Sequence, residues 1–333
     1  MLDCRNSMIG GNSPGAQRAA VQPFCTASQL VALLQGVGLV WDVVQLTPGA
    51  MRGRFSLNQR KHVAVMTLEC DQSLFVCGER NKSYVGVCFD SSVPYGRHVV
   101  RGQPIMPCSI YGFNENVSDV FFRTDAGCKI VFVIFNKSRV LNLSSLEGGH
   151  HLCEALDSSD SAQLDPKLFG SLRRQVNLAS MPGVADAVDM SCELLEAGLL
   201  EVFAPTCKIN LHSLGSESFR VGLMKELIGW GLQNPHDAIT LDHLSSLLFA
   251  SRTTISHSCR EVFGLGPMAL LKQIRLQQVQ SALSSPELQD YIGLNKVQDI
   301  ALHYGFQSRN HFARDYRKSF GECPRQTMSR CMR

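Results

Sequence analysis

Residues 300–324 read IALHYGFQSRNHFARDYRKSFGECP, and the way this stretch folds decides the architecture of the C-terminal part of the chain. Ile300 and Ala301, with Val297 ahead of them, fall at helical spacing and predict a short helix. Tyr304-Gly305-Phe306 ends it, with a glycine where a tight turn asks for a positive φ. Ser308 is an N-cap residue. Beyond it Phe312 and Tyr316 share one face of a second helix, while Arg309, Asn310, His311, Arg314 and Arg317 take the other. The product is helix, tight turn, helix, a unit whose second helix lies in the major groove of a duplex with its first turn at the base edges.

A second copy lies upstream. Thr240 is an N-cap ahead of Leu241, Leu244, Leu247 and Leu248, and Ser251 caps the next helix. There Ile255, Cys259 and Val262 point inward, Arg252, Thr253, Ser256, His257 and Arg260 point outward, and Gly264 closes the helix. Before this unit, Phe219, Leu223, Leu227 and Trp230 lie along one face of a first helix that ends near 231–235. Ser251 and Ser308 are 57 residues apart, so their helices occupy equivalent places in a degenerate repeat. Pro267 suits a first helical position. It opens a long helix through Leu271, Ile274, Leu276, Val279 and Leu283. Residues 267–284 would span roughly 27 Å as helix. That is enough to hold two reading helices about one DNA turn, ~34 Å, apart.

Charge agrees with this reading. The chain carries 32 Lys and Arg against 29 Asp and Glu, a net +3. The excess sits in residues 217–333, with 14 basic against 10 acidic, and it sharpens in 309–333, where Arg309, Arg314, Arg317, Lys318, Arg325, Arg330 and Arg333 face only Asp315 and Glu322. Such a stretch suits phosphate neutralisation.

Together these features resemble the DNA-binding domain of the AraC/XylS family of bacterial transcriptional regulators. The likeness rests on Gly264-Leu265-Gly266-Pro267, Arg275-Leu276, Leu283, the run 300–306, Ser308, Phe312, Arg314, Tyr316, Phe320-Gly321 and Pro324, and covers about 219–328. By position it implies that Thr253, Ser256 and His257 of the first unit, and Arg309, Asn310 and Arg314 of the second, face the groove. Arg252 and His311 share those first turns and complete the candidate DNA-contacting set. The sequence departs from the family pattern at Phe249, a turn position often held by Gly, at Cys259, where a core Phe is usual, and in a longer connection over 285–295.

Ahead of this region, residues 39–135 carry short apolar runs separated by turn formers, which predicts an antiparallel β domain. The runs are 39–46, 62–69, 73–77, 84–89 and 105–113, and a hairpin is expected between 118–124 and 129–135 across Asp125-Ala126-Gly127-Cys128. Strands at this spacing suggest a small barrel or sandwich of cupin-like form. Residues 138–163 read as polar and irregular. Val184, Val188, Cys192, Leu195, Leu199 and Phe203 then form a helical stripe, either packed on its own β domain or joining two copies of the chain. The segment Leu46-Thr47-Pro48-Gly49 with Arg52-Gly53 resembles the start of the effector-binding β domain in some family members, those of ethanolamine operons among them.

The expected fold is therefore α+β. A loose leader over 1–25 precedes a β-rich sensing and dimerisation domain over 26–205. A linker over 206–218 leads to an all-α domain over 219–333 in which a long helix joins two helix-turn-helix units. Double-stranded DNA is the expected partner, with a small-molecule effector, RNA polymerase and a second copy of the chain as others. An alternative keeps the regulator but gives the β domain protein partners in place of an effector.

Other functions lack their residues. The 13 cysteines are odd in number, scattered and free of CxxC pairs, which fits free thiols in a reducing cytoplasm, with neither disulfides nor a structural metal. No apolar run approaches the roughly 20 residues of a membrane helix. A cupin-type enzyme would want clustered metal ligands, yet His62 and His98 are the only histidines of the strand region and form no HxH pair. Paired carboxylates, a GxSxG elbow and a phosphate-cradling Gly loop are absent too. No catalysis and no cofactor are expected.

Overall fold

The structure, a computed structural model, describes residues 21–59, 62–144, 149–180, 185–204, 207, 209–213, 219–236 and 239–331. The first part of the chain forms β1 (Gln22–Phe24), α1 (Ala27–Gly36), β2 (Trp41–Gln45), β3 (Gly53–Gln59), β4 (Val63–Cys70), β5 (Leu74–Glu79), β6 (Tyr84–Asp90), β7 (Val99–Val100), β8 (Gln103–Pro104), β9 (Ser109–Tyr111), β10 (Asp119–Arg123) and β11 (Cys128–Asn136). Next come α2 (Lys137–Ser144), α3 (Gly149–Ser158), β12 (Ser159–Gln163), α4 (Pro166–Ser180), α5 (Ala185–Val202) and β13 (Asn210–Ser213). The strands make two antiparallel sheets, one of eight in the order β1-β3-β4-β11-β6-β9-β12-β13, the other of five in the order β2-β5-β10-β7-β8.

Both sheets are apolar on both faces, and strand alternation explains how they stack. On β11, Ile130 and Phe132 face the smaller sheet, where Phe132 meets Trp41 and Phe122 at ring separations of 5.9 Å. The alternate residues Val131, Val133 and Phe135 face the other way, onto a core shared with Leu152, Phe169, Leu195 and Leu199 of α3, α4 and α5. The smaller sheet repeats the pattern. Val43, Val76 and Phe122 point into the space between the sheets, while Val44, Phe75 and Phe121 point outward onto the C-terminal helices. Helices, eight-stranded sheet, five-stranded sheet and C-terminal helices thus follow one another as layers.

That stacking corrects several expectations. Residues 118–124 and 129–135 do form strands, β10 and β11, but they do not pair with each other. β10 lies between β5 and β7, and β11 between β4 and β6, so the connection crosses from one sheet to the other. The crossing is pinned at both ends: Thr124 N–H donates to Leu74 O at 2.8 Å, Ser73 Oγ donates to Thr124 O at 2.6 Å, and Gly127 N–H donates to Cys70 O at 2.9 Å. The single strand expected over 105–113 shrinks to β9, because Cys108 takes a left-handed φ of 58° that extended chain cannot continue through. Within the leader, Gln22–Phe24 pairs with β3, and residues 1–20 lie outside the described residues. The segment 138–163 is mostly helical and ends in β12, whose partner β13 falls inside the expected linker. Of the stripe, Leu195, Leu199 and Phe203 are buried in the chain's own core; the side chains of Val184, Val188 and Cys192 lie outside the described residues.

The C-terminal part is α6 (Phe219–Gln233), α7 (Leu241–Leu247), α8 (Arg252–Phe263), α9 (Pro267–Leu283), α10 (Pro286–Ile292), α11 (Val297–His303), α12 (Arg309–Phe320) and α13 (Pro324–Cys331). α9 is the shared spine. Leu270, Leu271 and Ile274 belong to a core with α6, α7 and α8, while Leu276, Val279, Ala282 and Leu283 belong to a second core with α11 and α12. The long connection over 285–295 is itself a helix, α10, capped by Ser285 and ended by Gly293 at φ 69°. Of the apolar residues named on α6 and α7, Phe219 is 67% exposed and Leu247 45%.

Candidate nucleic-acid interface

The first turns of α8 and α12 are built by their caps. Ser251 Oγ accepts from Thr254 N–H at 3.1 Å, and Ser308 Oγ accepts from His311 N–H at 3.5 Å. Each cap satisfies an N–H that helix geometry leaves without a carbonyl and holds the entering chain extended. At the other ends Gly264 and Gly321 adopt φ of 74° and 72°, conformations that suit glycine and stop the helix. Phe249, in the turn before α8, also takes a left-handed φ of 48° and leaves its ring 94% exposed.

On α8, Arg252, Thr253 and His257 are exposed and Ser256 is half-buried; on α12, Arg309, Asn310, His311 and Arg314 are all exposed. Local carboxylates restrain some of them. Arg252 pairs with Asp242 at 3.1 Å, His257 Nε2 with Glu261 at 3.2 Å, and Arg314 Nε lies 3.6 Å from Asp315. Exposed pairs of this kind contribute only about 0–1 kcal/mol, so a phosphate displaces them readily. Arg317, Lys318 and Arg325 are exposed as well. Arg275 is not available in the same way. It is half-buried with its guanidinium 6.0 Å from the Phe306 ring centroid, and burial lowers its pKa.

What the C-terminal ends of these two helices rest on was not legible in the sequence. Phe263, at the C-terminus of α8, meets Phe75 and Phe121 of the five-stranded sheet at ring separations of 4.8 and 6.3 Å. At the C-terminus of α12, Ser319 O accepts from Gly49 N–H and from Gln45 Nε2, both at 3.1 Å. A Cβ on Gly321 would stand only 3.0 Å from Ala50. Between them the spine is tied to the β2 edge: Gln45 N–H donates to Gln277 Oε1 at 3.0 Å and Gln277 Nε2 donates to Val43 O. Both helices therefore rest their C-terminal ends on the β part. Each is 12 residues long, so its first turn lies roughly 16 Å along the helix axis from that end.

A cavity of about 100 Å³ opens between the two sheets, walled by Trp41, Tyr84, Tyr111 and Phe122, with Arg101 and Asp119 among its polar residues. Ten described cysteines are free, and burial pushes the thiols of Cys70, Cys77, Cys88, Cys128 and Cys259 up to about 12, which leaves them unreactive. Among the described residues no group of three or more His, Cys, Asp or Glu could hold a metal ion, and no helix is long and apolar enough to cross a membrane.

Comparison with known proteins adds to the geometry. Residues 244–330 match the family model described as a helix-turn-helix domain. The chain is 25% identical over 138 residues to the XylDLEGF operon transcriptional activator of Pseudomonas putida, a match that takes in 41% of this chain and 40% of that protein. It is 24% identical over 162 residues to the HTH-type transcriptional activator RhaS of Pectobacterium carotovorum subsp. carotovorum (strain PC1), over 45% of this chain and 55% of RhaS. The chain thus spans about half the length of these relatives or less. Among solved structures, a probable AraC family transcriptional regulator from Rhodopseudomonas palustris CGA009 is 32% identical, covering 33% of this chain and 97% of its own, with a TM-score of 0.29.

Proposed function

Through its C-terminal domain this chain belongs to the AraC/XylS family of transcriptional regulators, and from that premise we propose that it binds DNA sequence-specifically and regulates transcription. The observation that carries the reading is the seating of α8 and α12. Their C-terminal ends are spent on the β part, whereas their capped first turns, with Thr253 and His257 on one and Arg309, Asn310 and Arg314 on the other, stand in solvent. A helix entering a major groove needs its N-terminal end free. The shared spine α9 gives the two helices one fixed relation, as simultaneous reading of one duplex requires.

Phosphate contacts from Lys and Arg supply most of the affinity in this reading and the two first turns supply the specificity. Arg309, Asn310 and Arg314 form the stronger reading set, since Arg and Asn make bidentate contacts with guanine and adenine that Thr, Ser and His do not match. The β part senses a small molecule in the cavity between its sheets, and its layer contact with the DNA-binding helices carries the signal. If two copies associate through α4 and α5, they use the outward side, where Leu178 and Leu194 are exposed, because Leu195 and Leu199 are already in the core.

The test begins with selection of a bound sequence from random duplexes. Arg309→Ala with Arg314→Ala is expected to abolish the gel shift on that sequence while circular dichroism stays unchanged. A normal shift by the double variant overturns the assignment.

A further inference from the structure

The two helix-turn-helix units differ at their turns. In the second, α11 ends at its C-cap Tyr304, and three residues, 305–307, lead to the N-cap Ser308. Gly305 takes the positive φ there, 80°, and Phe306 folds back, its ring 5.2 Å from that of Phe312 and 6.0 Å from the Arg275 guanidinium. In the first unit α7 ends at its C-cap Leu248, and only two residues, 249–250, precede Ser251. The shorter turn puts the positive φ on Phe249 itself, at 48°, and sets Ala250 rather than an aromatic ring against the core.

Phe249 is thereby unfavourable in two ways at once. A left-handed φ costs free energy in any residue with a Cβ, and glycine removes that cost. The side chain is also 94% exposed, more than any other large hydrophobic residue described. Its backbone is not free to turn the ring inward, because the next residue is bonded on both sides. Ala250 N–H donates to Ser245 O at 3.2 Å, and Ser245 Oγ donates to Ala250 O at 2.6 Å. Strain and exposure kept together at one position point to use.

Placement says what covers the ring. α8 rests its C-terminal end on the β part, and Phe249 stands just ahead of the opposite end, beside the Ser251 cap and the exposed Arg252 and Thr253. The ring is thus continuous with the surface that meets the duplex. Thymine presents a 5-methyl group in the major groove, and Phe is among the side chains that make apolar contact with it. The first unit has use for such a contact, since Thr253, Ser256 and His257 do not match the bidentate bonds available to Arg309 and Asn310 in the second.

We propose that Phe249 is a specificity-determining residue of the first unit, its ring packed on the 5-methyl group of a thymine at the edge of the groove that α8 enters. The inference rests on the DNA-binding reading and adds to it a residue from outside the two helices. Stability of the free turn is given up for a contact that exists only on DNA.

The sequence selected from random duplexes is the probe, with each thymine replaced in turn by deoxyuridine, which lacks the methyl group. One replacement should weaken binding by the full chain roughly fourfold, the worth of one such group removed from water. Phe249→Gly should bind the unmodified duplex more weakly by at least that factor and be indifferent to the same replacement. Its melting temperature should not fall, because glycine suits the turn and so exposed a ring has little packing to lose. A residue kept for structure would lower the melting temperature and leave the thymine dependence intact.

Equal affinity of Phe249→Gly and the parent overturns the proposal, as does a selected site without thymine. Replacements that weaken both chains alike overturn it too, since the ring would then touch no methyl group. Each of these results leaves the DNA-binding assignment standing, which needs only that the full chain select a sequence and that Arg309→Ala with Arg314→Ala lose it. A chain that selects no sequence loses both.

Discussion

Phe75 of the β part and Phe263 of α8 meet edge to face, with ring centroids 4.8 Å apart and planes at 87°. Both rings are fully buried, so this contact fuses two units of the chain into one packed body. Phe121 completes the cluster from the neighbouring strand.

Truncating Phe75 to alanine should destabilise the chain by about 3–5 kcal/mol, the usual cost of opening such a hole in a core. The chain has 2 tryptophans, Trp41 in the β part and Trp230 on α6, so single-tryptophan variants report each unit separately in urea. The two transitions should coincide in the parent and part in Phe75→Ala. Coincident transitions in both would mean that the coupling of the two units does not depend on the Phe75 contact.

Gln277 acts at the second point of attachment, the β2 edge. Gln277→Leu should cost about 1–3 kcal/mol by leaving the Gln45 N–H without its acceptor. Hydrogen exchange checks this locally, since the Gln45 amide should exchange faster in the variant while amides in the middle of β11 keep their protection.

The two caps should differ in strength. Ser251→Ala is expected to destabilise by about 1 kcal/mol, and Ser308→Ala by less, because its bond to His311 N–H is longer, 3.5 Å against 3.1 Å. Thermal unfolding by circular dichroism provides the comparison.

Asn310 and Arg317 should separate base reading from phosphate binding. Asn310→Ala should relax preference at one base pair by about 1–3 kcal/mol. Arg317→Ala should weaken binding evenly across sequences and reduce the salt slope by about 1. Affinity measured on single-base variants of the selected site over a range of salt decides between these outcomes.

Buried Asp90 gives a pH signature. Burial alone would raise its carboxyl, but bonds from His98 Nε2, the Ser92 hydroxyl and N–H, and Gly96 N–H outweigh that and hold it at about 2. A depressed folded-state pKa means that the unfolded chain takes up the proton first. The contribution, about 2 kcal/mol, is therefore complete above about pH 4 and lost as pH falls toward 2. Asp90→Asn should cost stability at pH 7 and much less at pH 2.5 in urea titrations.

Local chemistry made the C-terminal helices legible. Ser251, Ser308, Gly264 and Gly321 mark helix ends by bonds and φ values that involve only neighbours within a few residues. Strand positions such as β2, β4, β5, β6, β10 and β11 were readable as well, because apolar runs and turn residues are also local, whereas β3, with Arg54, Ser56, Asn58 and Gln59 among its seven residues, offered no apolar run. Pairing was not. β10 carries Val120, Phe121 and Phe122 in succession, apolar toward both faces, so no alternation told which side was which, and a short Gly-containing connection to β11 looks the same whether it turns a hairpin or changes sheets.

By itself the sequence determined two capped helices at a repeat of 57 residues, the spine between them and the type of side chain on their first turns. Tertiary structure alone decided that both helices stand with their C-terminal ends on one sheet, and that Asp119 and Lys225, 106 positions apart, share an ion pair. The division has one cause. Caps and helical stripes are fixed by contacts a few residues apart, whereas a sheet apolar on both sides is oriented only by what packs against each face.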